Sequence, residues 1–311
     1  MRITPLPIVV LVAVLALWLA RGGLAQSPPP PQRALHAFEM HASFMRSSFS
    51  GVNETDARAA FGVFVRRMGE KRGYAITPHL HIVDDAEALR ELLNRQTVNM
   101  VVLDSWDYLA LAPLTNYPAT FAAVEQGVIQ EEYLVLVGAD SGLTGLADLA
   151  GKQALVLRSS NTSNAGHWFR TEILALGRGA PEAFLSRLEV RGQLSQTVLP
   201  VFFGKADACA VDRQGFATMI EMNPQVGKRL KVLVQSEPYL DTLICVQLAG
   251  WERDGMRQDM MDAMLEMPND PAGRQIMSLF KFNGMAPFED RYIESMRALR
   301  KRHDALTGGQ P

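Results

Sequence analysis

The chain is 311 residues long and nearly balanced in charge, with 31 Lys and Arg against 33 Asp and Glu and a formal charge of −2. That balance leaves no basic excess for nucleic acid or anionic lipid. Hydrophobic residues make up 48% and charged residues 21%, the mix of a globular body long enough for two ordinary domains or one large one.

Arg2 precedes an unbroken apolar run of 13 residues, Ile8 to Ala20, and Gly23-Leu24-Ala25 places small residues before Gln26. This is the pattern of a secretory signal peptide, residues 1–25. At about 1.5 Å per residue the run reaches about 20 Å, short of the ~30 Å a spanning helix must cross. Arg21 directly after the run keeps an uncleaved anchor open as the alternative, and the absence of a following Cys argues against lipidation. Residues 26–33, "QSPPPPQR", read as an extended Pro-rich spacer.

From Ala34 onward strand-like and helix-like stretches alternate. "ALHAFEM" (34–40) reads as a strand, and Asp56 to Gly69 as an amphipathic helix with Phe61, Phe64, Val65 and Met68 on one face. "ITPHLHIV" (76–83) alternates like a strand, Asp84 to Arg95 is helical with Leu89, Leu92 and Leu93 inward, and "VNMVVLD" (98–104) is a buried strand. "EYLVLVGA" (132–139) and "QALVLR" (153–158) add strands, a helix follows from Ala165, and "ADACAVD" (206–212) and "LKVLVQ" (230–235) add two more. Met256 to His303 is mainly helical. The alternation predicts an α/β fold of βαβ units on mostly parallel sheets.

Familiar chemical motifs are missing. "GLADLAGKQ" from Gly145 has five residues between its glycines where a phosphate-binding P-loop needs four, and Gln153 stands where a Ser or Thr is required. There is no G-x-S-x-G, H-E-x-x-H or C-x-x-C. Cys209 and Cys245 are the only cysteines, and either a single disulfide or two buried thiols fits their strand-like contexts. His79 and His81 project to one face of a strand, but no third metal ligand stands at useful spacing, so a solvated or packed pair is the plainer reading. No metal, cofactor or catalytic residue is expected.

The stretch "RSSNTSNAGHWF", Arg158 to Phe169, stands out instead. Six consecutive small hydroxyl or amide side chains, Ser159 to Asn164, occupy the point where a strand hands over to a helix. A helix N-terminus presents unpaired N–H donors and about half a positive charge, so with Thr162, Ser163 and Asn164 it makes a cradle for an anion without a lysine. One such side chain is needed merely as the helix cap, which is the plainer alternative. Ligands of open α/β sheets bind outside the carboxyl ends of strands, and this loop leaves such an end.

Residues 132–166, "EYLVLVGADSGLTGLADLAGKQALVLRSSNTSNAG", followed by "SQTVLPVFFGKADACAVDRQGF" and "LKVLVQSEPYLDTLICV", resemble the phosphate/phosphite/phosphonate-binding proteins of ABC transporters, the PhnD-like family. The likeness runs from about Ala37 to about Leu299. It implies a periplasmic type II binding protein of α/β class: two lobes, each a mostly parallel sheet flanked by helices, with the ligand cleft between them. Lobe 1 would comprise residues 34–130 and 238–311, and lobe 2 residues 131–237. The family's S-T-S-G loop, which grips phosphoryl oxygens, falls on Asn161, Thr162, Ser163 and Asn164; Thr162 and Ser163 match, the two asparagines do not. Gln196 stands where relatives carry a ligand-contacting His. Asp241 matches an acidic residue that faces the ammonium in aminophosphonate binders. The segment Asp104, Ser105, Trp106, Asp107, Tyr108 corresponds to one on the first lobe, which makes Ser105 and Tyr108 candidates. Asp212 joins them, divided evenly between a site role and ordinary capping, and Ser47 and Ser48 are candidates by position only. Trp106 fits packing at least as well.

The resemblance implies a monomeric periplasmic protein that captures a small oxyanion or phosphonate and presents it to a membrane ABC permease, or, alternatively, reports it to a sensor histidine kinase. Enzymatic activity is not expected, since neither cysteine has a recognisable activating His.

Overall fold

The computed structural model describes residues 34–49, 51–159 and 162–308. The expected signal segment, the Pro-rich spacer and Asn161 lie outside the described residues. In chain order the elements are β1 (His36–Met45), α1 (Glu54–Arg72), β2 (Tyr74–Val83), α2 (Ala86–Asn94), β3 (Met100–Asp104), α3 (Ser105–Leu111), β4 (Ala119–Val124), β5 (Gln130–Glu131), β6 (Tyr133–Gly138), β7 (Gln153–Leu157), α4 (Ala165–Leu174) and α5 (Pro181–Phe184). There follow β8 (Arg187–Arg191), α6 (Leu194–Phe202), β9 (Ala208–Asp212), α7 (Arg213–Met222), α8 (Pro224–Arg229), β10 (Leu230–Gln235), β11 (Tyr239–Leu240), β12 (Thr242–Val246), α9 (Met256–Leu265), α10 (Pro271–Phe280), β13 (Gly284–Pro287) and α11 (Glu294–Thr307).

Two sheets divide these strands. A six-stranded sheet has the order β13-β4-β12-β3-β1-β2, and a five-stranded one the order β10-β6-β9-β7-β8. Between them β5 and β11 form a two-stranded antiparallel ribbon, Glu131 opposite Tyr239 and Gln130 opposite Leu240. The fold is thus two-lobed α/β. Its sheets are mixed, where the sequence alternation predicts mostly parallel ones. The βαβ units deliver β1, β2 and β3 in parallel, but β12 pairs antiparallel with both β3 and β4. A strand arriving from the other lobe enters the sheet in the opposite sense, which local strand-helix alternation does not encode.

Local chemistry explains the parts that position the site. Phe38, Met40, Ala42 and Phe44 alternate along β1 into a core shared with Phe61, Phe64, Val65 and Met68 of α1. Asn53 caps α1 by accepting from the Asp56 N–H, and Gly73, at φ 89°, ends it in a left-handed turn that a side chain would resist. Both sheets then repeat one device: a buried strand ends in an Asp that caps the next helix. Asp104 accepts from the Asp107 N–H at 2.8 Å at the start of α3, and Asp212 accepts from the Gly215 N–H at 2.5 Å at the start of α7.

The last helix, α11, packs on α3 and α4. His303 bonds the Thr171 hydroxyl at 2.9 Å and Arg302 pairs with Glu172. Trp106 stacks on His167, centroids 4.2 Å apart, with the Arg300 guanidinium 4.7 Å from the ring centre. Trp106 is therefore a packing residue of this seam. Burial, then Arg158, pushes His167 down to about 3, so it stacks as a neutral ring. Cys209 and Cys245 are both buried free thiols, one in each sheet, which answers the alternative left open by their sequence contexts. Among the described residues no helix is long and apolar enough to cross a membrane.

Candidate functional site

The polar loop closes on itself before it reaches the helix. Ser159 and Thr162 pair backbone to backbone, so the Thr162 N–H is satisfied within the loop, by the Ser159 carbonyl at 3.2 Å. The next donors face outward onto the strand crossover. The Ser163 N–H lies 3.1 and 3.2 Å from the two carboxylate oxygens of Asp241, and the Ser163 hydroxyl donates to one of them at 2.6 Å. The Asn164 amide donates to the same oxygen at 2.8 Å and to the Ser105 hydroxyl at 3.2 Å. Ser105 in turn donates its hydroxyl to the Leu240 carbonyl at 2.6 Å and its N–H to the Asp241 carbonyl at 2.8 Å. Thr162 donates its hydroxyl to Asp212 at 3.3 Å.

Asn164 precedes α4 without capping it through its side chain. The plainer reading of the loop, a cap and nothing more, therefore fails at this position. The side-chain amide oxygen of Asn164, Oδ1, is fully buried and accepts no hydrogen bond among the described residues. A buried acceptor without a partner asks for a donor from water or ligand.

The surroundings are acidic. Burial raises Asp241 despite opposing hydrogen bonds from Ser163. Burial also raises Asp104, with Asp107 and Asp241 adding to the effect and Arg158 opposing it. Glu131 in the β5–β11 ribbon is pushed up to about 7, first by burial and then by Asp212. Carboxylates gathered in this way hold protons or attract a cation.

The structure thus brings together Ser105, Thr162, Ser163, Asn164, Asp212 and Asp241 from the sequence-expected set. Asp212 serves both readings at once, capping α7 and accepting from Thr162. Tyr108 is half-buried against the core beside β12 and makes no bond to the network. Gln196 lies exposed near the start of α6, beside Ser195, Leu199 and Phe203 on an open surface. Ser48 lines a cavity of about 140 Å³ inside the first lobe, walled by Phe44, Phe61, Met68 and Met264 and also touching Glu131 and Asp241. Glu131 was missed by sequence reasoning. Its one signal is an acidic pair directly before the apolar run of β6.

Comparison with known proteins agrees with the two-lobed fold. The profile of the family described as ABC transporter, phosphonate, periplasmic substrate-binding protein matches residues 49–292. The chain belongs to that family. Its members bind solutes for ABC transporters in the periplasm and are not enzymes. Solved structures share the fold at low identity. A Xanthomonas citri protein, solved with chloride ion and separately with ATP, is 15% identical over 88% of this chain and 99% of its own, with a TM-score of 0.63. PhnD1 of Prochlorococcus marinus, solved with methylphosphonate, is 13% identical over 88% of this chain and 99% of its own, with a TM-score of 0.58. The binding component of an ABC phosphonate transporter from Pseudomonas aeruginosa is 13% identical over 86% of this chain and 88% of its own, also at 0.58. No curated protein sequence matches the chain.

Proposed function

We propose that this member of the phosphonate-binding family captures a small oxyanion of the phosphate, phosphite or phosphonate class whose organic part carries an ammonium, and delivers it as a monomer to a membrane ABC permease. The observation that carries the proposal is the carboxylate already held by the loop. Ser163 N–H, Ser163 hydroxyl and Asn164 amide converge on Asp241, so three neutral donors form an oxyanion cradle between the lobes. A phosphonate entering the cleft takes these donors from Asp241. Each is worth about 1.5–3 kcal/mol toward a charged acceptor, less what Asp241 gives up. The displaced Asp241, with Glu131 and Asp212 nearby, then needs a positive partner, and an ammonium on the ligand supplies it. The free side-chain Oδ1 of Asn164 offers that ammonium an acceptor. Exchange of one anion for another at the seam between two lobes is also a means of coupling ligand to domain closure.

A melting-temperature screen of the purified protein tests this, with phosphate, phosphite, methylphosphonate, 2-aminoethylphosphonate, sulfate, nitrate, arsenite and arsenate. The 2-aminoethylphosphonate should stabilise most, in a concentration-dependent way. Joint replacement of Thr162 and Ser163 by Ala should remove the response while also lowering the empty protein's stability, by about 1.5–3 kcal/mol for each hydroxyl bond lost from a buried carboxylate. If no anion moves the transition, the oxyanion reading falls. If ligand binds but no permease does, delivery to a sensor kinase takes its place.

A further inference from the structure

The first lobe carries a group of imidazoles that the ligand network does not use. Sequence spacing places only His79 and His81 on one face, with no third donor, but the sheet register supplies one. Parallel pairing of β1 with β2 sets His41 beside His79 and Ser43 beside His81. Side chains alternate along β1, so Glu39 shares the face of His41, opposite the one that Phe38 and Met40 bury under α1.

The geometry is close. The rings of His41 and His79 stack with centroids 4.4 Å apart and 11° between their planes. A Glu39 carboxylate oxygen lies 3.8 Å from Nε2 of His41 and 3.9 Å from Nε2 of His79. One ligand atom from each of the three falls within 4.8 Å of the other two. Nε2 of His79 is shielded from solvent and takes part in no hydrogen bond among the described residues. Nδ1 of His41 lies 3.0 Å from Nε2 of His81.

We propose that Nε2 of His41, Nε2 of His79 and a carboxylate oxygen of Glu39 form a binding site for a divalent transition ion of the Zn²⁺ or Cu²⁺ type, oriented by His81. Metal–nitrogen bonds of about 2.0–2.1 Å in a tetrahedron set donors ~3.4 Å apart, so small side-chain rotations complete the site. Two imidazoles and one carboxylate leave a fourth position for water, and imidazole donors favour Zn²⁺, Cu²⁺ and Ni²⁺ over Mg²⁺ or Ca²⁺. When the His41 Nδ1–H donates to His81, the lone pair of His41 is fixed on Nε2, toward Glu39 and His79. Outer partners of this kind hold ligating histidines in the binding tautomer. The site is reachable from solvent, with side-chain exposures of 71% for Glu39, 38% for His79 and 25% for His41. A bound ion ties β1 to β2, the edge strand of its sheet, and so stabilises the fold as it binds.

Calorimetric titration and melting of the untagged, chelator-treated protein test the proposal, with Zn²⁺ alone, Cu²⁺ alone and Mg²⁺ as control. Zn²⁺ and Cu²⁺ should bind one to one and raise the melting temperature, Mg²⁺ should do neither, and the Cu²⁺ electron-spin spectrum should show two nitrogen donors. His79→Gln should weaken Zn²⁺ at least tenfold, and His81→Gln by about ten- to a hundredfold through loss of orientation. Should a His variant fail to fold, Glu39→Gln at the exposed ligand gives the same reading with little structural risk. The proposal is overturned if neither ion binds at about a hundredfold excess over protein, or if binding survives both His79→Gln and Glu39→Gln.

Discussion

Two buried aspartates, Asp270 and Asp241, differ only in their company, and the difference separates the structural seam of the first lobe from the seam between the lobes that we propose takes the ligand. Asp270 caps α10 through the Ala272 N–H at 3.0 Å and takes Arg67 and Lys71 of α1 at 2.8 and 2.9 Å. Burial alone would raise it, but those two cations and their hydrogen bonds hold it well below the usual carboxylate range. The charges of Asp241, by contrast, rest among the described residues on neutral donors only, and burial raises it. A carboxylate paired with fixed cations cements two helices. One that is held by neutral donors, next to other acids, can give those donors up to a competing anion. The contrast fits the charge state each site needs.

Breaking the cemented seam should have the largest effect. Asp270→Ala removes a helix cap and two ion pairs whose cations are half-exposed and can return to water. The loss should be about 2–3 kcal/mol in urea unfolding at neutral pH, with ligand affinity unchanged. The pH sign follows from the depressed ionisation. The stability from Asp270 is present above its ordinary value of 3.8 and fades as acid protonates it.

The ligand seam should behave in the opposite sense. Glu131 rises from 4.5 to about 7 in the folded protein, so the folded state holds a proton that the unfolded chain has released. Stability from this group is present below 4.5 and is lost as pH climbs to about 7. Glu131→Gln keeps the shape without the charge. It should leave the melting temperature near its starting value at pH 4.5 and raise it by a few degrees at about pH 8. Asp104→Asn, which preserves a good helix cap, should flatten the same limb of the profile. A parallel vertical shift at every pH would mean that packing, and not ionisation, dominates at this seam.

The sequence exposes some of this contrast and hides the rest. The runs ending in Asp104 and Asp212 are readable because a buried apolar strand followed by an Asp is a local signal, and so is the polar loop at 159–164. The partner of that loop is not local. Ser163 and Asp241 are 78 residues apart, and only the crossover brings them together. The same limit hides the pairing of His41 with His79, which is a property of register. β4, β8 and β13 escape notice because their short stretches, such as "GMAP", carry no clear period until a neighbouring strand gives them a face. The pairing of Asp270 with Arg67 and Lys71, 203 and 199 residues away, is hidden for the same reason.

Gln196 offers the smallest and most discriminating test, because resemblance and geometry disagree about it. Resemblance places it where relatives carry a ligand-contacting His. In this structure it is exposed on α6, on a surface shared with Leu199, Phe203 and Lys205, while the Ser163–Asp241 network forms elsewhere without it. Removing an exposed amide that holds no partner in the network changes little, so Gln196→Ala should leave stability within about 0.5 kcal/mol and ligand affinity within about twofold. Titration of the ligand found by the anion screen measures this directly. A loss of tenfold or more would mean that ligand-driven closure carries the start of α6 onto the bound molecule. The seam would then be only part of the site, and Asp241 would release its donors to a ligand that is also gripped by α6.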